Sequence, residues 1–381
     1  MNSLRLILSK PRYFGPALVF ATLNVLIGTW AIYIPTIKEN LGIDEGELGL
    51  AIFCMALGTL TMVLLAPLMI NKLGVGKATA YGVFIFLFTL ILPFIGATYA
   101  MLCVGLYFFG AASGFTDVAM NTLVTELEKE DGVNIMSANH GFFSIGGFLG
   151  AGIGGFFLDT VQNPLNHLIL VILIMLVLNA LVVRYYFKVR QVTDDELNFQ
   201  IKHFIPLFGL ALIGFFIMAA EGAIVDWSAL YLEKVSLADI SMIGLGYTVF
   251  SITMAIGRFL GDEISSRYGS KQLIVFGSLL GSLGFACVLL ATTMWAIFGF
   301  GLVGLGLSVI VPELFRLAGK TEGVDASQGI SFVSGTGFLG FLVGPVVLGF
   351  LADISTLKLS FIALLGFTAV SMLIALTLKK K

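Results

Sequence analysis

The chain has 381 residues, of which 58% are apolar and only 12% charged, where an ordinary soluble protein carries roughly a quarter charged residues. That balance excludes a water-soluble globular domain, and a net charge of -2 gives no sign of a nucleic-acid partner. The three cysteines, Cys54, Cys103 and Cys287, fall in different apolar stretches without metal-ligand spacing and read as small buried residues.

Uncharged runs long enough to cross a hydrocarbon core predict twelve helical spans, near 13–37, 46–70, 77–97, 99–127, 136–160, 165–187, 204–232, 240–262, 271–291, 293–315, 326–352 and 357–377. With the N-terminus inside, all 21 Lys and Arg residues except Lys38, Lys234 and Lys358 fall on the inner side. So lopsided a split fixes an even number of spans with both termini cytoplasmic.

The first span follows Arg5, Lys10 and Arg12 and is too long for the apolar core of a cleavable signal, so it is expected to act as an uncleaved anchor. It carries Asn24 at mid-depth and Trp30 above it. An indole at that level serves either as an interfacial anchor or as a flat platform for a solute ring. Between spans two and three lies Asn71-Lys72-Leu-Gly74-Val-Gly76-Lys77.

Span four holds Asp117 and, four residues on, Asn121, so both lie on one helix face with Gly110 and Gly114. At the start of span five, Ser137, His140 and Ser144 form a second polar stripe, joined to the first by a short loop. An ionisable group at mid-span costs about 2.5 to 3.5 kcal/mol on insertion scales, so Asp117 needs a purpose. A carboxylate in a low-dielectric site beside a histidine makes a proton-binding pair; a hydrogen-bond network of fixed protonation is the other reading.

The polar stretch 189–203 divides the chain into an N-terminal bundle, 1–188, and a C-terminal bundle, 204–381. Span seven carries Glu221 near its midpoint, then Asp226 and Trp227. Five residues turn a helix by about 500°, so Glu221 and Asp226 point apart; Glu221 is assigned to the cavity and Asp226 to an outer gate. Span eight ends with Gly257-Arg258-Phe-Leu-Gly261-Asp262-x3-Ser266-Arg267-Tyr-Gly269. Arg258 and Asp262 are four apart and able to pair. No Lys or Arg falls in the middle third of any predicted span, which favours a neutral or cationic solute over an anion.

The two halves also repeat each other. Ser137-x6-Ser144-x2-Gly147-Phe-Leu-Gly150-x3-Gly154 returns as Ser327-x6-Ser334-x2-Gly337-Phe-Leu-Gly340-x3-Gly344, and Lys72-x-Gly74 returns as Arg267-x-Gly269. A duplicated apolar chain is a common plan of secondary transporters. The loops after spans two and eight resemble the cytoplasmic loop signature of the major facilitator superfamily, with Asn71 where the usual acidic residue would stand. That resemblance implies an all-helical fold of two pseudo-symmetric six-helix bundles, with Lys72, Arg258, Asp262 and Arg267 latching the cytoplasmic gate. The stretch Asp117-Val-Ala-Met-Asn121 with Met136-Ser-Ala-Asn-His140-Gly-Phe-Phe-Ser144 resembles the fucose-proton symporter family, while Asp44-Glu45-Gly46-x-Leu48-Gly49-Leu50 and the Glu221 to Tyr231 segment resemble an uncharacterised bacterial inner-membrane branch of the same superfamily. The symporter resemblance implies a proton or sugar role for Asp117, with Asn121 its polar neighbour. The sugar symporters' second acid, four positions before a proline, is replaced by Ala31 ahead of Pro35, which leaves Glu221 as the substitute.

No phosphate-cradling loop, paired metal ligands or nucleophile elbow is present, so an enzyme is not expected. The expectation is a monomeric alternating-access carrier of the bacterial inner membrane, without cofactor, coupled to protons and moving a small neutral solute such as a sugar. The residues assigned to the solute are Asn24, Trp30, Asn121, Ser144, Glu221 and Trp227, and those to protons Asp117, Glu221 and His140. Sodium coupling stays open through the oxygens of Asp117 and Asn121. Efflux of amphipathic or cationic compounds and a non-transporting sensor or scaffold are the alternatives.

Overall fold

The computed structural model describes residues 3–43, 45–153, 164–190, 201–239, 242 and 244–378. It is all-α, with no strand among the described residues. Among the described residues, ten helices are long and apolar enough to cross a membrane. Of the other two predicted spans, the fifth is described only through Ile153, and the eighth, Leu245–Tyr268, carries Arg258, Asp262, Glu263 and Arg267. Large apolar side chains stand fully outward, among them Leu64 at 69%, Phe350 at 66% and Leu181 at 62% exposure. Such a surface is stable only against lipid tails; the protein is integral to a membrane.

Contacts divide the chain into two units. The first comprises Met1–Ile135 and Asn139–Asn198, the second Met136–Ala138 and Phe199–Lys381. Most of the predicted linker, residues 191–200, lies outside the described residues, and the chain resumes as a 3-10 turn at Ile201–Leu207.

In the first unit, helix Tyr99–Asp131 starts where Thr98 accepts the Met101 N–H and stops at Gly132, whose φ is 64°. It packs against Glu45–Leu73 with no side chains between the backbones. A Cβ on Gly110 would strike the Met55 carbonyl, and one on Gly58 the Tyr107 carbonyl. Thr59 Oγ1 adds a hydrogen bond to the Gly110 carbonyl at 3.1 Å. Small residues permit this approach, which stands in for the hydrophobic driving force that lipid removes. Gly110→Leu should therefore force the pair apart, with loss of the monodisperse peak in size-exclusion chromatography and a Tm lower by more than 10 °C.

The repeated loop motifs fold alike. Gly74 and Gly269 follow the helices Glu45–Leu73 and Leu245–Tyr268 with φ of 84° and 85°, a region that side chains with a Cβ rarely occupy. This is why the glycine recurs after Lys72 and Arg267.

In the second unit, span ten is broken. Helix Thr293–Leu307 ends and helix Ile310–Gly319 begins across Ser308 and Val309. Pro312 lies four residues after Ser308, and a proline removes that hydrogen bond and crowds the carbonyl four positions earlier. The break carries Glu313 and Arg316 on a separate, largely buried helix.

Candidate functional site

Three of the predicted residues of the first unit form one chain of hydrogen bonds. Asn121, wholly buried, donates from Nδ2 to the Asp117 carbonyl at 2.9 Å and to Asp117 Oδ1 at 3.3 Å. That donation orients the amide, so its oxygen faces His140 Nε2 at 3.2 Å and accepts a proton-bearing nitrogen. The His140 ring is buried and lies edge-on to Phe20, with centroids 5.1 Å apart. The two polar stripes thus meet through Asn121, which links the carboxylate to the imidazole.

Asn24 and Ser144 extend the cluster through backbone. Asn24 Nδ2 donates to the Phe143 carbonyl at 2.9 Å, and Ser144 Oγ to the His140 carbonyl at 3.3 Å. Beyond Ser144, span five widens into a π-helical turn, Phe148–Ile153, a feature common at functional sites.

Trp30 departs from its expected solute role. It is 2% exposed and packs edge-on against Phe94, 5.9 Å between centroids, leaving no face for a solute. Tyr33 joins the same cluster and shares a 2.9 Å hydrogen bond with His167. Lys72 sits exposed in the last turn of its helix.

The second unit holds a central charge that the predicted spans missed. Helix Leu245–Tyr268 starts and ends several residues later than expected, which moves Arg258 into its central third. There the guanidinium donates to Glu221 Oε1 at 3.3 Å; the arginine side chain is 8% and the glutamate 24% exposed. The expectation that no cation reaches the middle of a span is therefore overturned. Glu221 faces a partner supplied by span eight.

Asp262, one turn below, is the centre of a buried cluster. Its two oxygens accept the N–H groups of Ser137 and Ala138 at 2.9 and 2.8 Å, at the positive end of helix Met136–Gly147. Arg316 donates to the same carboxylate at 2.5 Å, to Ser265 Oγ at 3.1 Å and to Glu313. Arg316 and Glu313 are 3% and 0% exposed. Arg316 counts among the inner-side cations in the sequence, and its three-residue spacing from Glu313 just after the helix-breaking Pro312 is the signal that carries both inward. Arg267 makes an exposed pair with Glu263 at 2.7 Å.

Trp227 is partly exposed, and its indole nitrogen is buried without a hydrogen-bond partner among the described residues. Asp226 belongs to the same helix, Phe208–Lys234, but its side chain lies outside the described residues.

A family model for the Major Facilitator Superfamily matches residues 16–238 and 210–381. An uncharacterized MFS-type transporter of Yersinia pestis is 31% identical over 363 residues, 94% of each chain. The quinolone resistance protein NorA of Staphylococcus aureus is 21% identical over 362 residues, covering 90% of this chain and 89% of its own. Solved structures of FucP, the fucose:proton symporter of E. coli, superpose with TM-scores of 0.82 and 0.79 at 17% and 18% identity, covering 98% of this chain and 100% of theirs.

Proposed function

The chain belongs to the major facilitator superfamily, a family of membrane transporters with a twelve-helix fold, and from that premise we propose that it is a proton-coupled carrier of a small neutral polar solute. The observation that carries this reading is the Asp117–Asn121–His140 chain. A carboxylate and an imidazole joined through one amide can exchange a proton between a bound and a released form as the site changes its access to water. Sodium fits less well, because the Asn121 oxygen that it would require already faces the His140 N–H.

Charge balance supports a neutral solute. The mid-depth arginine is matched by Glu221, and Arg316 by Asp262 and Glu313, so neither of these buried cations among the described residues is left over for an anion. Polar groups suited to a neutral solute are Asn24, Asn121 and Ser144 and, separately, the Trp227 indole N–H. A proton entering down 100 mV supplies about 2.3 kcal/mol, enough for roughly fifty-fold accumulation of a neutral solute. Carriage in the bacterial inner membrane with both termini inside, by a monomer, completes the proposal. Lys72, Asp262 and Arg267 are its cytoplasmic gate residues and Asp226 its outer one, while Arg258, first assigned to the cytoplasmic gate, pairs with Glu221 at mid-depth.

The likeness to NorA supports a second reading, proton-driven efflux of amphipathic compounds. A thermal-shift screen of sugars, nucleosides and amphipathic cations separates the two by which class raises Tm. With the solute in hand, Asp117→Asn in reconstituted vesicles should reduce accumulation driven by a pH gradient at least tenfold while leaving exchange of labelled solute intact. Unchanged gradient-driven accumulation in that variant would reject the proton role.

A further inference from the structure

Cys54 and Cys103 are distant in sequence, one in span two and one in span four, yet the packing of those helices brings them together. The helices Glu45–Leu73 and Tyr99–Asp131 run parallel with Gly58 against the Tyr107 backbone. Four residues toward the start of each helix, one turn on and at the same sequence offset, Cys54 comes opposite Cys103. The two side chains thus face each other across the seam between the helices. The Tyr99 hydroxyl, one turn nearer the start of span four, donates to the Glu47 carbonyl at 2.9 Å, which ties the two helices together at the outer end of the pair. Both cysteines are partly exposed, where the sequence predicts buried ones. Helices in backbone contact suit the ~4.4 to 6.8 Å between Cα atoms that a disulfide spans.

We propose that Cys54 and Cys103 are a redox modification site, a dithiol that closes to a disulfide stapling spans two and four near the end assigned to the outer face. Two S–H bonds break and one S–S bond forms. The two protons and two electrons pass to an uncharged two-electron acceptor of the quinone or azo class, which becomes a hydroquinone or a hydrazine. Cys287 lies in the other unit and serves as the internal reference.

The test uses the full chain in detergent or nanodiscs, treated with the azo oxidant diamide, unfolded in SDS and alkylated with N-ethylmaleimide. Alkylatable thiols should fall from three to one and return to three with dithiothreitol. Non-reducing digestion and mass spectrometry should find the Cys54 peptide linked to the Cys103 peptide, and the oxidised protein should melt at a higher temperature. Cys54→Ser should keep two alkylatable thiols after the same treatment. The proposal is overturned if all three thiols of the native sequence stay alkylatable after diamide, or if the recovered link joins Cys287 or two copies of the chain.

Discussion

Arg258→Met should abolish transport and lower the stability of the purified protein by about 3 to 5 kcal/mol, whereas Arg258→Met combined with Glu221→Gln should recover most of that stability. The guanidinium and carboxylate meet at 3.3 Å with the arginine 8% exposed. Removing one partner strands the other charge in a low-dielectric interior; removing both leaves two uncharged side chains of similar volume. The cycle of four proteins, followed by thermal denaturation, measures the coupling directly. A double variant as unstable as the two single losses added together would show that the pair is not energetically linked. The same cycle bears on mechanism. If Glu221 exchanges the coupling proton, Glu221→Gln mimics one working state and should retain solute exchange, while Arg258→Met, with an unmatched acid at mid-depth, should lose it.

The second large effect is expected at Asp262. This carboxylate accepts two backbone N–H groups and the Arg316 guanidinium. Asp262→Asn removes the charge that opposes Arg316 and turns one oxygen into a donor facing donors, so the cost should again be about 3 to 5 kcal/mol. Arg316→Gln should be comparably damaging, because it leaves Glu313, with no exposed surface, beside Asp262 without the cation between them. Arg267→Ala, by contrast, breaks an exposed pair with Glu263 and should change stability by less than about 1 kcal/mol. Melting curves of the three variants check the ranking, and an Asp262→Asn protein as stable as the parent would contradict it.

The Asp117 chain was legible from spacing alone. Four residues on a helix place Asp117 and Asn121 on one face, and a loop of a few residues obliges the stripe of the next helix to lie near. The Lys72-x-Gly74 and Arg267-x-Gly269 echo was equally readable, since positive φ at both glycines reflects a local steric rule. What could not be read depends on partners far apart in the chain. Arg258 looked peripheral because the start of its helix was placed several residues early, and hydropathy alone does not locate the end of a helix that carries four charged residues. Glu313 passed unnoticed because Arg316 was counted as a topology marker, when the break before Pro312 carries both inward. Trp30 was assigned by depth, and depth does not say which side of a helix an indole occupies.

One tetrapeptide occurs twice, in corresponding places, and adopts two geometries. Gly147-Phe148-Leu149-Gly150 enters the π-helical turn Phe148–Ile153, while Gly337-Phe338-Leu339-Gly340 lies inside the regular α-helix Ala326–Ile354. Identical residues cannot supply the difference; their surroundings do. A wider turn advances the helix by fewer degrees per residue, so side chains within Phe148–Ile153 are rotated relative to those of the regular copy. Ancestral duplication has thus left homologous sequences without interchangeable mechanics, and a chimera that transplants one segment onto the other would inherit the letters but misalign the surface they present.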